Sequence, residues 1–155
     1  MKEYRIHTDS TKESLQILET ILGTVPSKLR LISAFDFSNI PSPDKWSKKQ
    51  IIGHLIDSAT NNHHRFVRAQ FDQQPTILYD QDNWNSHSYY DQMDADHLIS
   101  FWEIYNRHII ELVKRIPPQL MERECTLEDG NTRSIAWLFD DYVRHMEHHL
   151  AQIFA

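Results

Sequence analysis

The sequence predicts an all-α four-helix bundle, and three observations predict it. Long segments carry apolar residues at helical spacing. Only three glycines occur, Gly23, Gly53 and Gly130. Capping residues and prolines divide the chain into four segments of a length that packs most simply as a bundle. The 155 residues are read as one domain, 1–155, large enough to bury about two-thirds of its unfolded surface without disulfides.

The first helix is expected to begin near Ser10, where Ser10 and Glu13 spell a capping box, and to run through Leu15, Leu18 and Leu22. Pro26 lacks an amide N–H and is expected to interrupt it, with a short helical piece following to about Ala34. The prolines of IPSPDKW, residues 40–46, hold the next stretch extended or turned. Ser47 and Gln50 form a second capping box and open the second helix, about Ser47 to Phe71, with the seam Ile51, Leu55, Ala59 and Phe66. From Gln73 to Asp91 the chain reads as a polar loop containing Tyr79, Trp84, Tyr89 and Tyr90, long for a bundle.

The third helix, about Asp94 to Arg115, carries the stripe Leu98, Trp102, Tyr105, Ile109, Leu112 and Ile116, and Pro117 and Pro118 end it. Arg123 to Leu127, a Glu-Asp-Gly-Asn turn and Thr132 suggest a short hairpin. Ser134 caps the fourth helix, which reaches almost to Ala155 along Ile135, Phe139, Tyr142, Met146, Leu150 and Ile153.

Net charge is −6, and a basic run such as Arg65 to Arg68 holds only two charges. Nucleic-acid binders draw most of their affinity from a basic face, so no nucleic-acid partner is expected. No apolar run approaches the roughly 18 residues of a membrane span. MKEYRIHTDSTKESL has no signal-peptide core. Cys125 is the only cysteine, which excludes an intrachain disulfide and fits a reducing compartment. These readings give a cytoplasmic protein with no membrane partner.

The ten histidines cluster, His54, His63 and His64 in one group and His145, His148 and His149 in another. His145 and His149 are four apart, so they stack on one flank of the fourth helix. His54 lies on the edge of the second helix's seam, beside Ser58, Asn61 and Arg65. If those flanks face each other, three imidazoles meet beside the core. Three histidines with an open fourth position describe a catalytic metal site, and imidazole suits zinc or nickel first, with iron or manganese also accommodated. The flanking helix angles turn His148 and His64 away, and His63 reads as a core residue. Asp57 is placed to accept from an imidazole N–H or to stand solvated. Asn61, Arg65 and Trp84 are candidates to meet substrate, Arg65 through an anionic group. Nothing near Cys125 lowers its pKa, so it is not read as a nucleophile.

WSKKQIIGHLIDSATNNHHRFVRAQF, residues 46–71, resembles the second-helix motif of the DinB-like superfamily; DDYVRHMEHHLAQI, 140–153, resembles its last helix; and YDQDNW, 79–84, is similar to the subgroup of metal-dependent hydrolases. The resemblance implies a bundle of up-down-down-up topology, a homodimer, and a three-histidine metal site filled here by His54, His145 and His149. It implies a small-molecule substrate and either hydrolysis or transfer using a low-molecular-weight thiol. The lack of an evident general base leans toward thiol transfer, and a metal-binding or dimerisation module without turnover is the non-enzymatic alternative.

Overall fold

The computed structural model describes residues 8–155. Four long helices form the bundle: α1 (Asp9–Arg30), α3 (Lys48–Arg68), α5 (Ala95–Val113) and α6 (Ile135–Ile153). Two short helices, α2 (Ala34–Ser38) and α4 (Gln81–Ser88), and an antiparallel hairpin of β1 (Glu124–Thr126) and β2 (Thr132–Ser134) complete it. Both α1 and α3 pack against α5 and α6, which places α1 diagonally across from α3. Arg30 meets Asp96 and Glu19 meets Lys114, so α1 and α5 are antiparallel. His54 meets His149 and Phe66 meets Phe139, so α3 and α6 are antiparallel too. The result is the up-down-down-up bundle.

The apolar seams explain the packing. Every seam residue of α3 and α6 is buried, and on α5 Ile99, Ile110 and Val113 widen the stripe that Leu98, Trp102 and Ile109 begin. Tyr105 and Leu112 stay half-buried at its margin. The Ser47–Gln50 capping box forms as expected.

Three local expectations are corrected. Thr8, not Ser10, caps α1 by accepting from the Thr11 amide; Ser10 instead donates to Asp140 on α6, as does Ser14 at 2.7 Å. Pro26 does not break α1. It deprives the Leu22 carbonyl of its usual amide partner, and Arg107 Nη2 of α5 donates to that carbonyl at 3.3 Å. Arg107→Ala is therefore expected to cost about 1 kcal/mol, and less in a Pro26→Ala background, where residue 26 supplies its own N–H. Equal losses in both backgrounds on urea unfolding would rule the bond out as the reason the helix continues.

The third correction is the long loop, which is largely ordered structure. Thr76 bridges to Thr126, α4 starts at the Asp80 cap, and a single 3₁₀ turn spans Tyr90–Gln92. Helix α3 ends at Arg68, short of Phe71, and Arg123 seals that end by donating to the Ala69 and Asp72 carbonyls at 3.0 and 2.7 Å. Among the described residues no helix is long and apolar enough to cross a membrane.

Candidate metal centre

The antiparallel pairing of α3 and α6 sets the first turns of one helix beside the last turns of the other. His54 lies on α3, about two turns past its capped start, and His145 and His149 lie one turn apart on α6. Their Nε2 atoms converge: His54 to His145 is 3.0 Å and His149 to His145 is 3.1 Å. One ligand atom from each lies within 4.8 Å of the others. A tetrahedral zinc with Zn–N near 2.0–2.1 Å has N···N edges of about 3.3 Å. The donor set therefore fits one tetrahedral ion with small adjustments.

The environment keeps these nitrogens available. Burial and mutual repulsion push His54 down to about 3 and His145 to about 4; His149 is lowered for the same first reason, its hydrogen bond to Gln152 opposing. All three are neutral near pH 7, as metal ligation requires. Gln152 Oε1 sits 2.9 Å from His149 Nδ1. Accepting from an Nδ1–H there selects the tautomer whose Nε2 lone pair faces its neighbours. Trp46 stacks at a tilt on His54, ring centroids 4.9 Å apart, and closes that side to water. Neither Gln152 nor Trp46 stood out as a site residue from pattern alone, although Gln152 follows His149 at helical spacing.

A cavity of about 400 Å³ opens beside His145. One wall is polar, Ser58, Asn62 and Arg65 of α3; the other carries Leu127, Trp137, Leu138 and Tyr142, with Asp141 and Glu128 at its margins. Arg65 is thus in the cleft. Asn61 is not part of its lining: it is buried, and its amide donates to the Asp57 backbone carbonyl at 2.9 Å, while Asn62 lines the cavity one residue on. Trp84 sits on α4 against Tyr79, ring centroids 5.6 Å apart, and Tyr79 rather than Trp84 reaches the cavity.

Asp57 is buried and accepts from the Tyr90 hydroxyl. Its other carboxylate oxygen and His54 Nδ1 are both buried without a hydrogen-bond partner among the described residues. No bond joins Asp57 to an imidazole; the expected support comes from Gln152 on His149 instead. Burial pushes Asp57 up to about 6, the Tyr90 bond pulling the other way.

These shifts set the acid response of the metal-free protein. The unfolded chain's histidines take up protons below about 6.5, which the folded cluster resists until about 4 and 3. That contribution is complete above the unfolded value and is lost as pH falls. Asp57 opposes it, because a carboxyl raised to about 6 favours the fold at lower pH and loses that contribution as pH rises through 6. The histidines outnumber it. Stability should fall between pH 7 and pH 5, each uncompensated proton contributing a slope of about 1.4 kcal/mol per pH unit. Urea unfolding of chelator-treated protein measures this; stability that rose on acidification would contradict it.

Residues 25–153 match the DinB superfamily. A protein of Oceanobacillus iheyensis, provisionally named a metal-dependent hydrolase, is 29% identical over 109 residues, covering 70% of this chain and 63% of its own length. YfiT of Bacillus subtilis, with the same provisional name, is 25% identical over 159 residues, covering 97% of this chain and 88% of its own. The solved structure of YfiT, described as a four-helix bundle of unusual topology, superposes with a TM-score of 0.86 at 19% identity over 99% of this chain and 89% of that one. A mycothiol-dependent maleylpyruvate isomerase shares the fold at a TM-score of 0.74 and 15% identity, over 90% of this chain and 59% of that one.

Proposed function

The chain belongs to the DinB superfamily, and on that premise we propose that it is a metal-dependent hydrolase of a small molecule, with His54, His145 and His149 holding one divalent transition metal. The observation that carries this reading is the convergence of three Nε2 atoms at the end of a cleft. Zinc and nickel suit such a donor set. A divalent metal there supplies Lewis acidity toward a carbonyl or phosphoryl oxygen and toward water.

The protein's own residues do the rest. Gln152 fixes the His149 tautomer, and Trp46 shields His54. Asp141 lines the cleft one helical turn before His145 and is half-exposed, paired with Arg144 at 3.4 Å. Its carboxylate faces the same cleft as His145, and it is the group placed to take a proton from an attacking water. Asp57 is held by Tyr90 away from that task. Ser58 and Asn62 give the polar wall on which a substrate's hydrogen-bonding groups are oriented.

A second reading, transfer involving a low-molecular-weight thiol, is supported by the fold shared with the mycothiol-dependent isomerase and by the guanidinium in the cleft wall. The test is metal analysis of tag-free protein purified without chelator, followed by turnover assays on esters, amides and phosphoesters, and on thiol–electrophile pairs. Hydrolysis lost in Asp141→Asn with metal content unchanged supports the first reading. Turnover only with a thiol supports the second. Bound metal with no turnover in either set favours a non-catalytic module.

A further inference from the structure

The cleft is longer than a metal centre needs. Its lining runs from Ser58 to Arg65 on α3, seven residues and about 10 Å of helical rise, and from His145 back to Trp137 on α6, about 12 Å. The slot therefore lies along both helices, with the three-histidine cluster just beyond its His145 end. Its two ends differ in chemistry, the His145 imidazole at one and the Arg65 guanidinium at the other. Leu127, Trp137 and Leu138 supply an apolar wall between.

Arg65 is built in an unusual way. Its side chain is only 8% exposed. Nε and Nη2 both donate to the Ile77 carbonyl, at 3.2 and 2.7 Å, which fixes the fork. A carbonyl takes hydrogen bonds but carries no neutralising charge. Nη1 has no acceptor among the described residues, and the nearest carboxylate, Glu128, is 3.8 Å from Nη2, too long for a hydrogen bond. Glu128 is 57% exposed and sits in the hairpin turn, where it can move aside. The guanidinium is therefore largely buried, oriented, and compensated only by a carboxylate 3.8 Å away. Such a group gains most from an incoming planar anion, because the cost of burying and ordering it has already been met in folding.

We infer that the slot takes an elongated small molecule whose far end is a carboxylate bound by Arg65, with an apolar middle against Leu127, Trp137 and Leu138. Glu128 occupies the neighbourhood of that carboxylate in the free protein and competes with it. The inference rests on the proposed metal chemistry only for where the reacting end lies, and the acid end is testable without metal.

The probes are octanoate and octanol, titrated by calorimetry into the metal-free full-length chain. Octanoate should bind more tightly than octanol by about tenfold, the scale of a charge-assisted hydrogen bond. Glu128→Gln should strengthen octanoate severalfold and leave octanol unchanged. Arg65→Gln should erase the preference, and Arg65→Lys, which keeps the charge without the fork, should retain part of it. Octanoate binding no better than octanol in both the native chain and Glu128→Gln overturns the inference, as does an undiminished preference in Arg65→Lys and Arg65→Gln together. If Arg65→Gln does not fold, the Glu128→Gln and Arg65→Lys titrations decide. Failure here leaves the metal centre standing, and failure to take up metal leaves this acid subsite standing.

Discussion

Alanine at His54, His145 or His149 is expected to abolish stoichiometric metal uptake, whereas alanine at His148 or His64 leaves it intact. Only the first three bring ring nitrogens together. His64 and His148 are exposed, and His148 contacts Gln152 rather than the convergent Nε2 atoms. Removing a first ligand should weaken binding by more than the tenfold to hundredfold, roughly, that loss of a supporting group costs. Gln152→Ala supplies that smaller figure as an internal reference, since it frees the His149 ring while leaving all three ligands. The bundle should stay folded in every variant, because the seams of α3 and α6 bury without help from a metal. Metal-loaded native protein should melt higher than metal-free protein, and the His54, His145 and His149 variants should lose that increment. Metal analysis with calorimetry across the six variants decides the matter. A His148→Ala protein that lost the metal while His145→Ala kept it would overturn the assignment.

Much of this centre was readable from spacing, for a physical reason. Helices α3 and α6 have clean apolar seams, so the angle of each histidine relative to its seam follows from 3.6 residues per turn. His54, His145 and His149 lie on the flanks that the packing brings face to face. What spacing could not show depends on partners distant in the chain. Pro26 sits inside α1 because Arg107, on another helix, takes over the abandoned Leu22 carbonyl. Helix α4 escaped notice because its eight residues bury only Asn85, whose amide donates to the Gln50 carbonyl at 2.9 Å; it is held by that contact, not by an apolar face. Asn62 lines the cleft in place of Asn61 since the cavity tracks α6, and Asn61 is turned inward to its own helix backbone. Asp57 could not be assigned without knowing that Tyr90, thirty-three residues on, would claim it.

That Tyr90 contact gives the last expected result: Gly53→Ala destabilises the protein although alanine favours a helix. A Cβ at residue 53 would lie 2.1 Å from Tyr90 Cδ2 and 2.4 Å from its Cγ. Cγ is the root of the ring, so a change of side-chain rotation near the tip cannot relieve the overlap. The ring is held at its other end by the hydroxyl's bond to buried Asp57. Behind it, Tyr89 is in the left-handed region at φ 57°, which turns the chain from α4 onto α3. Overpacking of this kind costs about 1–3 kcal/mol, occasionally more. Alanine returns about 1 kcal/mol of helix propensity. A net loss of about 1 kcal/mol, and up to about 2, is expected, read as a lower urea midpoint at unchanged slope. Tyr90→Ala should itself be costly, since it removes a buried ring and strands the Asp57 carboxyl. In that background, however, Gly53→Ala should become neutral or stabilising, because the obstruction is gone and only the propensity gain remains. If Gly53→Ala cost the same with and without the Tyr90 ring, steric contact would not be the reason a glycine stands beside His54. The double-mutant cycle separates the two explanations, and metal uptake by Gly53→Ala reports whether displacing the ring also moves the His54 imidazole out of line with His145.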